Sequence, residues 1–272
     1  NIGLDENFNI EIVSSKNTEK REKYTNYLYK KLQRNGMLQR DCDHLVRNDR
    51  VTWGSCMIGC GDADAMVTGG TRHHAATIEK LTKVVDARPG EIIFGLTMLV
   101  SKGRTVFVAD TNVHDNPTAE QLVKIAISST RVARLFGFDP KVAFLSHSTF
   151  GKPSTVRTKH VREAMELMKT KKIDFDYDGE MQPDVALNPE YKESYPFSKI
   201  VGNANILIMP ALHSASISVK LMKTFGGARL IGPLLIGLGL PIEIAPLRSS
   251  PSDILNLASI AAFSSEVIDY KS

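Results

Sequence analysis

The sequence has too few cysteines for a disulfide framework: three, Cys42, Cys56 and Cys60, in 272 residues. An odd, sparse set of thiols fits a reducing compartment, so a cytoplasmic location is expected. Cys56-x-x-x-Cys60 lacks further ligands at zinc spacing and reads as packed thiols. Long hydrophobic runs are also missing. The longest apolar stretch, Ile231 to Ile244, contains Gly, Pro and a Glu and is shorter than a membrane span, so no membrane partner is expected. Charge of one sign does not dominate. The 34 basic and 30 acidic residues leave a net charge of +4. That is too mild to imply nucleic acid, but it suits a small anionic ligand, for which local charge matters more than the sum. Neither a Gly-x-Gly-x-x-Gly fingerprint nor a P-loop is present, so the chain alone is not expected to bind NADP at a Rossmann site. The chain shows no signal-peptide pattern and opens on Asn1 rather than Met, which reads as a fragment or a processed product.

What is present is an ordinary globular composition, 42% hydrophobic and 24% charged, enough for a real core. Residues 17–35 read as a helix ending at Asn35-Gly36, and 37–60 as partly helical. Ala65-Met66-Val67-Thr68 reads as a short buried strand running into Gly69-Gly70, followed by a helix from His73 to Val85. The apolar runs 92–100 and 105–109 flank Lys102-Gly103, a hairpin signature. Thr118-x-x-Gln121 has capping-box spacing and opens a helix to Phe136 with Gly137 beyond it. Val142–Leu145 is a strand and 156–168 a helix. Strands are predicted again at 173–177, 204–209 and 230–236, with helices at 189–193 and 214–225. Ser250, Pro251 and Asp253 fit N-cap, N1 and N3 of a last helix to about Val267. Short apolar strands alternating with helices predict an α/β fold: two three-layer αβα lobes with mainly parallel sheets and an interlobe cleft.

Ligands of such folds sit at the carboxyl ends of strands, and four segments there are candidates. Thr68-Gly69-Gly70-Thr71 would let backbone amides approach an anion at a helix start, or is a plain tight turn. Ser146-His147-Ser148-Thr149-Phe150-Gly151 resembles a phosphate- or carbonyl-binding loop, or its hydroxyls cap the next helix. His147 is its only side chain able to shuttle protons near neutral pH. Asp178-Gly179-Glu180-Met181-Gln182-Pro183-Asp184 is acidic but reads more readily as solvated or capping than as a metal site, and no metal is expected in this domain. Arg248-Ser249-Ser250-Pro251-Ser252-Asp253 is an anion clamp, a capping arrangement, or both. Adjacent His73 and His74 point in different directions and do not make a metal pair.

Several of these stretches together resemble the phosphate acetyl/butyryl transferase family, from about Ile2 to Ala262. The matching segments include Ala63-Asp64-Ala65-Met66-Val67-Thr68-Gly69, Asn116-Pro117-Thr118-Ala119-Glu120-Gln121-Leu122 and Lys141-Val142-Ala143-Phe144-Leu145-Ser146-His147-Ser148. They continue through Asp178 to Ala186, Ala204 to Pro210, and Gly226-Gly227-Ala228 with Ile231-Gly232-Pro233-Leu234-Leu235. The resemblance implies one lobe from 1–141 plus 236–272, lacking the family's opening strand and helices, and a second lobe from 142–235. It implies transfer of an acyl group between phosphate and the thiol of CoA, with an aspartate to help deprotonate the thiol and arginines to hold phosphate. The aspartate position is matched by Asp253. Two arginine positions depart from the pattern: one is Glu79, and a Ser-Arg pair is replaced by Pro246-Leu247, with Arg248 one place later. Arg131 and Arg134 lie near the region of a further family arginine.

Losing a positioned charge-stabilising donor costs about 10²–10³ in rate, so efficient acyl transfer is not expected. The Ser146–Gly151 loop resembles the transferase-like C-terminal part of bacterial multidomain NADP-dependent malic enzymes more closely than it resembles the free transferases. That likeness implies a regulatory and oligomerisation domain, homodimeric or larger, binding acetyl-CoA or a related acyl-CoA. No cofactor belongs to this domain in that reading; NADP and a divalent metal would serve absent N-terminal catalytic domains that convert malate to pyruvate and CO2. The ligand residues it suggests are Gly69, Gly70, Thr71, Ser146, Ser148, Thr149, Arg248, Ser249 and Asp253, the last a vestigial catalytic group. The competing readings are a working phosphate acetyltransferase and a purely structural dimerisation module.

Overall fold

The computed structural model describes residues 11–15 and 19–268. The start of the match at Ile2 and the first two residues of the helix expected over 17–35 lie outside them. The chain opens with helices α1 (Lys20–Leu32), α2 (Gln39–Asn48) and α3 (Arg50–Gly59). Strand β1 (Met66–Gly69) and helix α4 (His74–Val84) follow. Strand β1 pairs in parallel with β8 (Ile242–Ala245), Met66 opposite Ile242, so early and late parts of the chain share a small sheet. Side chains alternate across a strand. Met66, Ile242 and Ile244 therefore join a core with Tyr24, Leu28, Trp53 and Leu81 of α1, α3 and α4. Val67 and Ala245 point the other way, into a core with Leu257 and Ile260 of α9 (Pro251–Val267).

The larger sheet has six strands in the order β5-β4-β6-β3-β2-β7. They are β2 (Phe94–Ser101), β3 (Arg104–Ala109), β4 (Lys141–Leu145), β5 (Asp176–Met181), β6 (Ile206–Ile208) and β7 (Arg229–Ile236). The pairs β5-β4, β4-β6 and β6-β3 are parallel, whereas β2 runs antiparallel to both β3 and β7. Phe107, Ala109, Phe144, Ile206 and Ile208 share one face with α5 (Ala119–Leu135) and α6 (Lys159–Lys169). On the other face, Val106, Val108, Ala143, Leu145 and Leu207 pack with α7 (Pro183–Leu187) and α8 (Leu212–Thr224). The fold is thus α/β with mainly parallel sheets, covered on both faces.

The boundary expected between 141 and 142 falls inside one hydrogen-bonded sheet. Strand β3, assigned to the first lobe, pairs with β6, and β2 pairs with β7. The hairpin of β2 and β3 buries both its faces only as part of the large sheet, so the large unit spans 94–236. Other differences are local. The strand expected at 173–177 is β5 at Asp176–Met181, and the helix expected at 189–193 is a 3-10 turn, Pro189–Ser194. The helix predicted from 156 opens with a 3-10 turn, Val156–Thr158. Helix α7 and strand β8 were not anticipated. By contrast, both predicted N-terminal capping arrangements form: Thr118 with Gln121, and Ser250 with Asp253.

Where the two sheets meet, Glu243 of β8 is buried and accepts the Leu235 backbone N–H of β7 at 2.9 Å. Burial pushes its carboxyl up to about 8, opposed in part by that hydrogen bond. The folded chain then keeps a proton that the unfolded chain releases near 4.5. Stability from this group is complete below the lower value and is lost as pH rises through the upper one. Glu243→Gln keeps an acceptor without the charge. It should match the parent's melting temperature near pH ~5 and exceed it by several degrees near pH ~9; equal melting at both values would contradict this account.

Candidate functional site

A pocket of about 310 Å³ lies between the two sheet units. One side is the turn after β8, Pro246 to Ser249, with Asp253 of α9. The other side is the Thr111-Asn112 loop after β3, Gly232-Pro233 in β7, and Ser216, Val219, Lys220 and Lys223 of α8. Residues 216, 219, 220 and 223 fall on one helical stripe, so two lysines one turn apart face the same space as Arg248. The turn is closed by the Ser249 N–H donating to the Pro246 carbonyl at 3.2 Å. Arg248 occupies its third position with φ 64°, where a left-handed residue is needed and glycine is usual. A non-glycine residue pays about 1–2 kcal/mol there.

The loop after β3 is organised by one buried carboxylate. Asp110 accepts backbone N–H groups from Gly95 (2.9 Å), Asn112 (2.7 Å), Val113 (3.1 Å) and His114 (2.7 Å). It also contacts the His114 Nδ1 at 2.7 Å. Thus fixed, Asn112 donates from its side-chain amide to the His74 imidazole at the start of α4. Burial pushes His74 down to about 4, partly offset by a hydrogen bond with the Ile244 backbone. A neutral imidazole therefore ties α4 and β8 to the loop after β3 across the cleft. Neither Asp110 nor His74 was among the expected site residues, and the two lysines were also missed.

The expected residues divide among several places. Arg248, Ser249 and Asp253 share this pocket. Gly69 is held by strand pairing, since a Cβ there would lie 2.4 Å from the Ala245 carbonyl oxygen. Gly70 donates its N–H to that same oxygen at 2.9 Å. With Thr71 exposed beside them, these residues form the tight turn of the plainer reading. Ser146 and His147 line a different cavity at the ends of β4 and β6. Ser148 is buried and donates to Glu180 at 2.9 Å, and the Thr149 hydroxyl accepts the Gln182 N–H at 3.2 Å. Both hydroxyls brace the loop internally. Asp178 and Glu180 are likewise committed: Asp178 accepts the Lys199 N–H at 2.7 Å, and Glu180 lies 3.6 Å from Arg162. Among the described residues no group of three or more His, Cys, Asp or Glu side chains is placed to hold a metal.

A family model described as Phosphate acetyl/butaryl transferase matches residues 1–262. The chain belongs to the phosphate acetyl/butyryl transferase family. It is 46% identical over 254 residues to an NADP-dependent malic enzyme from Rhizobium meliloti, covering 93% of this chain but 33% of that protein. A phosphate acetyltransferase from Acetivibrio thermocellus is 32% identical, covering 94% of this chain and 80% of that protein. The chain thus spans about a third of the malic enzyme it matches. Among solved structures, a phosphotransacetylase from Streptococcus pyogenes superposes with a TM-score of 0.85 at 30% identity, covering 92% of this chain and 77% of that one. The EutD phosphotransacetylase from Staphylococcus aureus gives 0.81 at 26%, covering 94% and 79%.

Against the family's chemistry, Pro246 and Leu247 put apolar surface in the pocket where the resemblance implies a Ser-Arg pair. The reversed charge at Glu79 has a milder consequence than the sequence implied. Its side chain is 73% exposed, pairs with Lys83 at 3.0 Å, and is not part of the pocket wall. Arg131 pairs with Glu91 and Arg134 with Asp174, both away from the site. Asp253 accepts the Ser250 N–H at 2.9 Å. The Ser250 hydrogen bonds, aided by Lys223 and Arg229, hold its carboxyl below the usual carboxylate range. Because Asp110 satisfies several buried donors at once, Asp110→Ala should cost roughly 2 kcal/mol or more, read as a lower urea midpoint. An unchanged midpoint would show that the loop does not depend on this carboxylate.

Proposed function

We propose that this chain is a regulatory, phosphotransacetylase-like domain that binds acetyl-CoA or a related acyl-CoA without efficient acyl transfer, as part of a longer NADP-dependent malic enzyme. The observation that carries the reading is the composition of the pocket: Arg248, Lys220 and Lys223 beside an Asp253 that is a weakened base. Three cations suit the phosphates of a CoA ligand, because ionised donors make the stronger hydrogen bonds to phosphate. Thiol deprotonation needs a base matched to its task, and a carboxylate fixed in a capping box with a depressed proton affinity is a poor one. The pocket's walls come from both sheet units, so a ligand that draws them together shifts their equilibrium by its differential affinity for the closed form.

In this reading NADP and a divalent metal serve the parent's catalytic part, which oxidises and decarboxylates malate. Self-association is supported by exposed apolar side chains, Ile217 and Leu221 on α8 with Phe225 just beyond its end, and Leu255 and Phe263 on α9; exposed apolar surface favours protein contacts. No helix among the described residues is long and apolar enough to cross a membrane, and the sparse thiols favour a cytoplasmic setting.

Arg248→Gly separates ligand affinity from folding. It should leave stability unchanged or raise it by up to about 1 kcal/mol, since glycine relieves the left-handed residue. It should also weaken acetyl-CoA binding about tenfold or more, since one charge-assisted phosphate contact is lost. Calorimetry with acetyl-CoA and thermal melts of both proteins check this; unchanged affinity would remove Arg248 from the site. Acetyl-CoA with phosphate should release no thiol above background, and sustained release would favour a working acetyltransferase.

A further inference from the structure

The second cavity, about 800 Å³, opens at the carboxyl ends of β4 and β6, on the other side of α8 from the Arg248 pocket. The two share no wall residue. It gathers side chains that the reading above does not use: His147 after β4, Lys159 and His160 at the start of α6, and His213 and Ser214 at the start of α8. Ser146 adds a hydroxyl from the end of β4. Glu163, the carboxylate in this wall, lies 3.3 Å from Lys159 and balances its charge. Of the remaining polar groups, the His147 and His213 imidazoles, the Asn116 amide and the Ser218 hydroxyl are able to donate to an oxyanion, whereas the Ser214 hydroxyl already donates to the Ala211 carbonyl at 2.7 Å and the Thr158 hydroxyl to the Thr155 carbonyl at 3.0 Å.

Two details orient these groups. The His160 Nε2 lies 2.9 Å from the Pro210 carbonyl, which fixes the proton on that nitrogen and turns the ring with the Pro210 strand end. Helix α8 begins after Ala211, whose side chain cannot cap it. The Leu212 N–H is taken by the Asp115 carbonyl at 3.0 Å. The amides that follow, of His213 and Ser214, are in the first turn, where intrahelical acceptors are lacking. Those residues line the cavity together with His147 and His160.

We propose that this cavity is a second ligand site, for a small molecule carrying a phosphate group, separate from the Arg248 pocket. Its phosphate would lie among Lys159, His147 and His213, next to the His160 ring, and the rest of the cavity would take the body of the molecule. Helix α8 walls both sites, with His213, Ser214 and Ser218 on one and Ser216, Lys220 and Lys223 on the other. The inference does not depend on acyl-CoA binding in the first pocket.

Inorganic phosphate is the probe. Titrated into histidine-labelled protein at constant pH, with chloride added to hold ionic strength, it should shift the imidazole resonances of His147, His160 and His213 saturably. Lys159 and His213 are exposed, so their replacement leaves the core intact. Lys159→Ala and His213→Ala should each weaken phosphate binding about fivefold or more, whereas Arg248→Gly should leave it unchanged. Three outcomes overturn the proposal: no saturable shift of these histidines, equal affinity in the Lys159 and His213 variants, or loss of the shifts in Arg248→Gly. The last would place the phosphate in the first pocket instead.

Discussion

The pocket depends on the buried carboxylate of Asp110. A loop that leaves the end of a parallel strand must satisfy its own amides, or the buried donors cost more than the turn is worth. Asp110 takes the N–H groups of Asn112, Val113 and His114 and reaches back to Gly95 in the neighbouring strand. The loop therefore has one shape, and Asn112 has one direction. From that direction it meets His74, which belongs to the other sheet unit. Two sheets that share no strand are thus joined at one edge of the site by a neutral hydrogen bond, and the cations face the gap between them.

The chemistry follows from what surrounds that gap. Charge enters from two helices and a turn: the lysines along one stripe of α8, Arg248 from a left-handed position, and Asp253 from the capping box of α9. A carboxylate serving as a helix cap is stabilised as the anion, which makes it a sound anchor and a weak base. Apolar Pro246 and Leu247 occupy wall that a transferase would use for charge. The reversed charge at Glu79 takes no part, because its side chain is exposed and pairs with Lys83.

How much of this was legible in the sequence depended on distance along the chain. The capping boxes of α5 and α9 are set by residues three apart, Thr118 with Gln121 and Ser250 with Asp253, and they read directly. The α/β class was equally plain from alternation. The edge of the large unit was not, because the pairing of β3 with β6 joins segments about a hundred residues apart and no local pattern encodes it. Strand β8 was hidden within an apolar run broken by glycine and proline. Ser148 looked like a ligand because the buried Glu180 that takes its hydroxyl lies in a different strand. Lys220 and Lys223 carry no local motif, since two lysines three apart on a helix are as common on a solvated face as in a pocket. Asp110 had one local signal, an aspartate ahead of polar turn residues, but its value lies in a contact with Gly95 that only the fold supplies.

Regulation through this cleft requires one ligand to engage both sheet units at once. Hydrogen–deuterium exchange with saturating acetyl-CoA tests this directly. The account predicts slower exchange in 246–253 and in 216–223 within the same titration, with no loss of the thioester. Protection confined to one of these segments, or to neither, would contradict it.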